Sequence, residues 1–124
     1  MQKVFLVDDS ALVRQRLHEL VAALPRTRVV GQAADVREAI SGILATKPDV
    51  VLLDISLEHG SGFDVLNAVH VREPGIDFYM LSNFAAEPYR RHAERLGALE
   101  FFDKSTDFER VRDLLAQRAA NLTY

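Results

Sequence analysis

The sequence predicts a doubly wound α/β domain, a five-stranded parallel sheet covered by five helices, and two observations carry that prediction. Short continuous apolar runs of strand length alternate along the chain with longer stretches whose apolar residues recur at helical spacing. The runs "VFLV" and "VVLL" are apolar at every position rather than every second one, which is the pattern of strands buried on both faces. Right-handed crossovers then place each intervening helix against the sheet. The 124 residues fit one domain, residues 1–124, without a linker, an internal repeat or a low-complexity segment. A chain of this size buries roughly two-thirds of its unfolded surface and needs no covalent staples.

Each element has a local signature. "VFLV", residues 4–7, is the first strand; Leu12, Val13, Leu17, Leu20, Val21 and Leu24 then recur at helical spacing from Ser10, and Pro25 closes that helix. Leu12 and Leu17 are assigned to its core face. "RVVGQA" is the second strand, and Asp35 with Glu38 three residues on opens a helix through Ala39, Ile40, Ile43 and Leu44 that ends before Pro48. "VVLL" is the third strand, followed by a polar, glycine-bearing loop and a helix over "GFDVLNAVHVRE" that Pro74-Gly75 stops. "IDFYMLS" is the fourth strand; Pro88 suits the first turn of a helix running to Leu96, with Gly97 at its end. "EFF" is the fifth strand, and Thr106 with Glu109 caps a last helix striped by Phe108, Val111, Leu114 and Leu115. The strand order for such a sheet is the flavodoxin-like 2-1-3-4-5, with its switch point between strands one and three.

Composition excludes several function classes. Without cysteine the chain has neither a disulfide framework nor a thiolate metal site, which suits a reducing cytoplasm. The apolar run near the N-terminus is too short for a signal sequence or a membrane span, so no membrane partner is expected. A net charge of −3 with both signs interspersed lacks the basic footprint of a nucleic-acid binder, so no direct nucleic-acid partner is expected either.

Chemistry concentrates at the strand ends. Asp8 and Asp9 follow the first strand and Asp54 ends the third, so all three fall at the predicted switch point. Each alone reads as a turn or capping acid. Together they raise one another's pKa values unless a cation neutralises them, and a hard divalent ion such as Mg2+ prefers such oxygen ligands. Ser82 ends the fourth strand and Lys104 follows the fifth; a hydroxyl and an ammonium both suit phosphoryl oxygens, although each alone reads as a turn or solvated residue.

With those residues in place, the chain resembles the receiver domains of bacterial two-component response regulators, chemotaxis regulators among them, over essentially its whole length. "VFLVDDSALVRQRL", "VVLLDISLEHGSGFDVL", "MLSN" and "FFDKS" carry the resemblance in order and spacing. It implies that Asp54 is the phospho-acceptor, that Asp8 and Asp9 serve a magnesium ion, Asp9 directly and Asp8 through water, and that Ser56 offers the ion its backbone carbonyl. Ser82 is then the switch hydroxyl, Lys104 the phosphate-contacting lysine and Phe101 the aromatic member of the switch. The implied partners are a sensor histidine kinase or phosphotransfer protein upstream and a downstream protein or effector domain. The implied product is an acyl phosphate, which water hydrolyses, so the domain catalyses its own phosphorylation and dephosphorylation while serving as a cytoplasmic signalling module.

Departures from the family pattern individualise the chain. Glu58 stands where proline often follows the acceptor by four residues, and is read as facing solvent rather than the metal. Asn83 stands where a small residue is usual and partly shields the site; Ser56 and Phe84 hold the two positions that tune phosphoryl lifetime in relatives. Ser105 replaces a proline whose bond is often cis, and Phe101 has no hydroxyl, leaving ring burial alone to report switching. Arg90, Arg91 and Arg95 on the fourth helix form either a solvated face or a docking surface. His18, His59, His70 and His92 share no metal spacing and are assigned to solvent. Ala11, Arg14, Gln15 and His18 are the expected kinase-contacting face. No effector domain is expected after "LLAQRAANLTY".

Three other functions use part of this inventory. Mg2+-dependent aspartyl-phosphate phosphatases of the haloacid dehalogenase type place their acids as Asp-x-Asp, whereas Asp8 and Asp9 are adjacent. A flavin carrier needs a phosphate-cradling loop after the first strand, where this chain has acids. A receiver-like module that works without phosphorylation has no need for all five site residues.

Overall fold

The structure, a computed structural model, describes residues 1–83 and 86–122. In chain order the elements are β1 (Gln2–Val7), α1 (Ala11–Ala22), β2 (Thr27–Ala33), α2 (Val36–Thr46), β3 (Val50–Leu53), the short β4 (Ser56–Leu57) and β5 (Gly60–Ser61), α3 (Gly62–His70), β6 (Asp77–Ser82), α4 (Glu87–Arg95), β7 (Glu100–Asp103) and α5 (Phe108–Ala120). The main sheet runs β2-β1-β3-β6-β7 with every neighbour parallel. Setting aside the small β4-β5 hairpin, this is the order 2-1-3-4-5.

Alternation along each strand divides the core in two. Phe5, Val7, Val51, Leu53, Phe78 and Met80 face Ala39 and Ile43 of α2, Val65 and Val69 of α3, and Ala93 of α4. Val4, Leu6, Val50, Leu52, Tyr79 and Leu81 face Leu17 and Val21 of α1 with Val111 and Leu115 of α5. At the N-terminal edge of the sheet a polar staple ties α5 down. Arg118 donates to Asp77 Oδ2 (2.7 Å), Tyr79 Oη (3.1 Å) and Gln2 Oε1 (2.9 Å). The Gln2 amide, 2% exposed, donates in turn to Thr27 Oγ1 and the Leu115 carbonyl, so that its buried polar atoms are satisfied. Among the described residues no helix is long and apolar enough to cross a membrane.

Five local expectations are corrected. Leu12 is 68% exposed, because the residues of α1 that meet the sheet are Leu17 and Val21, and Leu12 lies five positions, not four, before Leu17. The stretch after Asp54 is not all loop: Ser56 pairs with Ser61 and Leu57 with Gly60, around a turn in which His59 has a φ of 57°. α3 stops at His70, short of the proline. The N-cap of α5 is Asp107 rather than Thr106; the Asp107 carboxylate accepts from the Asp103 amide at 2.8 Å and so holds the turn after β7. His70 is half-buried, edge-on to Phe78 and against Gly97, whose φ of 112° brings the chain in close. His18, His59 and His92 are exposed, as expected.

Candidate functional site

The parallel register delivers the acids to one place. Val7 of β1 pairs with Leu53 of β3, so Asp8 and Asp54 leave the sheet side by side, and the Asp54 amide donates to the Val7 carbonyl at 2.9 Å. Ser82 of β6 pairs with Asp103 of β7, and the Lys104 amide donates to the Ser82 carbonyl at 3.1 Å. The five predicted polar residues therefore share the C-terminal edge of the sheet. Asp8, Asp54 and Ser82 are 1%, 3% and 0% exposed, which no isolated turn residue would be; Asp9 is exposed.

Carboxylate oxygens of Asp8, Asp9 and Asp54 lie within 4.8 Å of one another. Lys104 Nζ sits 2.6 Å from Asp8 Oδ2 and 2.9 Å from Asp54 Oδ2. Burial pushes the Asp8 carboxyl above the usual carboxylate range and the charge on Asp54 adds to this, while hydrogen bonds from Lys104 and the Ser10 amide pull the other way. Burial lowers Lys104, but its hydrogen bonds to Asp8 and Asp54 outweigh that, and its ammonium is held above the ordinary lysine value. Three carboxylates thus face one ammonium, a donor set of hard oxygens with negative charge still uncompensated, which fits a divalent cation such as Mg2+.

The backbone around Asp54 is locked by features invisible in the residue types alone. A Cβ added to Gly62 would collide with the Asp54 carbonyl oxygen, so glycine is required there by close approach. The Gly62 amide donates to the Ile55 carbonyl at 2.7 Å, and Asp64 Oδ2 accepts from the Ser61 amide at 3.0 Å. Glu58 is exposed and outside the acid cluster; its amide bonds the Ala34 carbonyl at 3.2 Å, tying the hairpin to the turn before α2. Arg14 donates to the Asp8 carbonyl at 2.6 Å and to Gln32 Oε1 at 3.1 Å.

A cavity of about 450 Å³ opens over the acids, lined among others by Asp9, Asp54, Ser56, Asn83, Lys104 and Arg16. Phe101 lies away from it, 8% exposed in the core beneath α4. There Arg90 donates to the Phe101 carbonyl at 3.0 Å and stacks 5.0 Å from its ring centroid, which resolves Arg90 as inward-facing. Arg91 pairs with Glu87 at 3.5 Å along the helix, and Arg95 is exposed. The Lys104-Ser105 bond is trans, and Phe84 lies outside the described residues. Sequence reasoning missed Gly62, Arg16 and the Arg90-Phe101 contact; only the glycine-bearing run after Asp54 carried a signal, and it did not single out the glycine.

A parallel, doubly wound sheet that gathers three acids and a lysine at its switch point defines an α/β domain with an acidic pocket at its ligand-binding edge. The chain belongs to the response regulator receiver domain family, whose model it matches over residues 4–116. It is therefore a receiver domain of two-component response regulators, a family whose members generally bind Mg2+ at an acidic pocket and interact with kinases and effectors. It is 34% identical over 97% of its length to the DNA-binding transcriptional activator DevR/DosR of Mycobacterium tuberculosis, covering 60% of that protein. It is 35% identical over 94% of its length to protein-glutamate methylesterase/protein-glutamine glutaminase 1 of Carboxydothermus hydrogenoformans, covering 34% of it. The chain thus spans between a third and three fifths of these relatives. Among solved structures, the response regulator domain of Thermotoga maritima CheB superposes with a TM-score of 0.84 at 29% identity, over 100% of this chain and 99% of that one.

Proposed function

We propose that the chain accepts a phosphoryl group on Asp54 from the phosphohistidine of a sensor kinase or phosphotransfer protein and passes the signal on through a changed protein-binding face. The observation that carries this is the placement of Asp54: buried at the end of β3, yet open to the cavity and held 2.9 Å from Lys104. Its carboxylate oxygen forms a bond to phosphorus as the bond to the histidine nitrogen breaks, and the electron pair leaves with the imidazole. Lys104, now shared between two acids, offsets charge on the transferred oxygens. Asp8, Asp9, Asp54 and the Ser56 carbonyl would hold Mg2+, which when bound supplies further charge neutralisation and orientation of the phosphoryl group.

Once phosphorylated, Asp54 presents acceptors to the Ser82 hydroxyl at the adjacent strand end. Drawing Ser82 toward the phosphate vacates space beside Phe101, whose ring and Arg90 partner then re-pack under α4. The upstream partner docks on Ala11, Arg14, Gln15 and His18, which line a groove of about 350 Å³ between α1 and β2, with exposed Leu12 beside them. The downstream partner is a protein or effector domain that reads the α4-β7 face, and the setting is cytoplasmic.

Fluoroberyllate, a phosphoryl mimic, tests this reading when added with Mg2+ to the isotope-labelled protein. Amide resonances of Asp54, Ser82, Phe101 and Lys104 should shift together and saturably. An unchanged spectrum between residues 82 and 104 would contradict the switch.

A further inference from the structure

Arg16 has no role in the chemistry above, yet it lines the same cavity as Asp54 and Lys104. Its residue is exposed, and its guanidinium carbon sits 4.3 Å from the centroid of the Phe108 ring, which is itself packed on the core between α1 and α5. Among the described residues it makes no ion pair. The cavity therefore runs from a largely buried lysine to an exposed guanidinium stacked on Phe108, and the acids on its lining are Asp9 and Asp54.

That polarity matters because displacement at phosphorus is in line. The attacking Asp54 oxygen lies at the buried end, so the leaving group departs toward the mouth, where Arg16 stands. We propose that Arg16 is a donor-specificity residue among small-molecule donors, receiving the carboxylate released by acyl phosphates and so raising uptake from them relative to phosphoramidate, while leaving transfer from a phosphohistidine unaffected. The inference rests on Asp54 being the acceptor. With an acyl phosphate, the Asp54 oxygen-phosphorus bond forms as the bond between phosphorus and the acyl oxygen breaks; the electron pair leaves as a carboxylate and no proton is needed. A planar guanidinium matches that carboxylate with two parallel hydrogen bonds. With phosphoramidate the nitrogen is already protonated, the phosphorus-nitrogen bond breaks and neutral ammonia leaves, giving Arg16 nothing to hold.

The test compares initial rates of phosphoryl uptake, followed by intact mass in the presence of Mg2+, from acetyl phosphate and from phosphoramidate. In Arg16→Gln the acetyl phosphate rate should fall about tenfold, the scale of one charge-assisted contact at a partly exposed site, while the phosphoramidate rate stays within about twofold. Arg16→Lys, which restores the charge without the fork, should recover part of the acetyl phosphate rate. Thermal melting should fall by no more than a few degrees in either variant, the scale of one exposed cation–π contact, so that both remain folded under assay conditions. An equal fall for both donors, or no fall, overturns the inference and leaves the acceptor reading standing. Uptake by the wild type from neither donor overturns the acceptor reading itself, and the role of Arg16 with it.

Discussion

Lys104 and Asp54 meet at 2.9 Å across 50 residues of sequence, and the same ammonium lies 2.6 Å from Asp8. One cation thus holds two buried carboxylates at the switch point. Replacing it strands both charges, and breaking a buried pair from one side destabilises by about 3–5 kcal/mol. Lys104→Met should lower the unfolding free energy in urea at neutral pH by about 3 kcal/mol, somewhat less than the full range because Lys104 retains some exposure. Adding Asp54→Asn to that variant should recover part of the loss.

Asp8 works against folding when ionised. Its carboxyl is raised by burial, so the folded chain holds that proton more tightly than the unfolded chain does. The stability this contributes is present below the ordinary carboxylate pKa and is lost as pH rises through the raised value. At neutral pH, Asp8→Asn should therefore stabilise the metal-free protein, because the variant buries no charge at that position. Thermal melts with and without Mg2+ check this: the variant should melt higher without the ion and gain less from adding it.

Ser105 offers a reason for its own departure from proline. Its amide and its hydroxyl donate to Asp103 Oδ1 at 2.8 Å and 2.6 Å, and proline has no amide hydrogen to give. These two bonds hold the Asp103 carboxyl below the usual carboxylate range. A group lowered in this way favours the fold above its unfolded pKa and loses that contribution as pH falls through the folded value. Carboxyl titration by NMR should show Asp103 losing its proton at lower pH than a free aspartate, and Ser105→Ala should move it back upward.

Gly62→Ala forces a methyl group into the Asp54 carbonyl, a backbone atom that cannot rotate away. The main chain at Asp54 must move, and displaced reacting groups lose rate steeply with small shifts. Phosphoryl uptake should fall at least about 100-fold. An alanine at Gly75, where nothing lies within 4 Å of the added Cβ, is the matched control and should leave uptake unchanged.

What the sequence made legible was whatever depends on strand ends. The apolar runs stop where the acids begin, and a parallel sheet with one switch point must gather Asp8, Asp9, Asp54, Ser82 and Lys104 at a single edge. Features that depend on the approach of two distant segments were not legible. The Gly62 contact with Asp54 requires the hairpin to close, and the Arg90 contact with Phe101 requires α4 to settle at one angle over β7. Leu12 went astray because Ala11, Leu12 and Val13 are consecutive apolar residues in the first turn of α1, and periodicity alone does not say which of them the sheet takes. Thr106 and Asp107 both suit a cap, and the choice fell to the residue that also stabilises the turn after β7.

Intact-mass measurement after incubation with Mg2+ and acetyl phosphate bears most directly on the role of Asp54. The wild type should gain a single phosphoryl unit that is lost on standing in water, and Asp54→Ala should gain none. Absence of any gain in the wild type, or a gain that survives Asp54→Ala, would contradict the assignment of Asp54 as the phospho-acceptor.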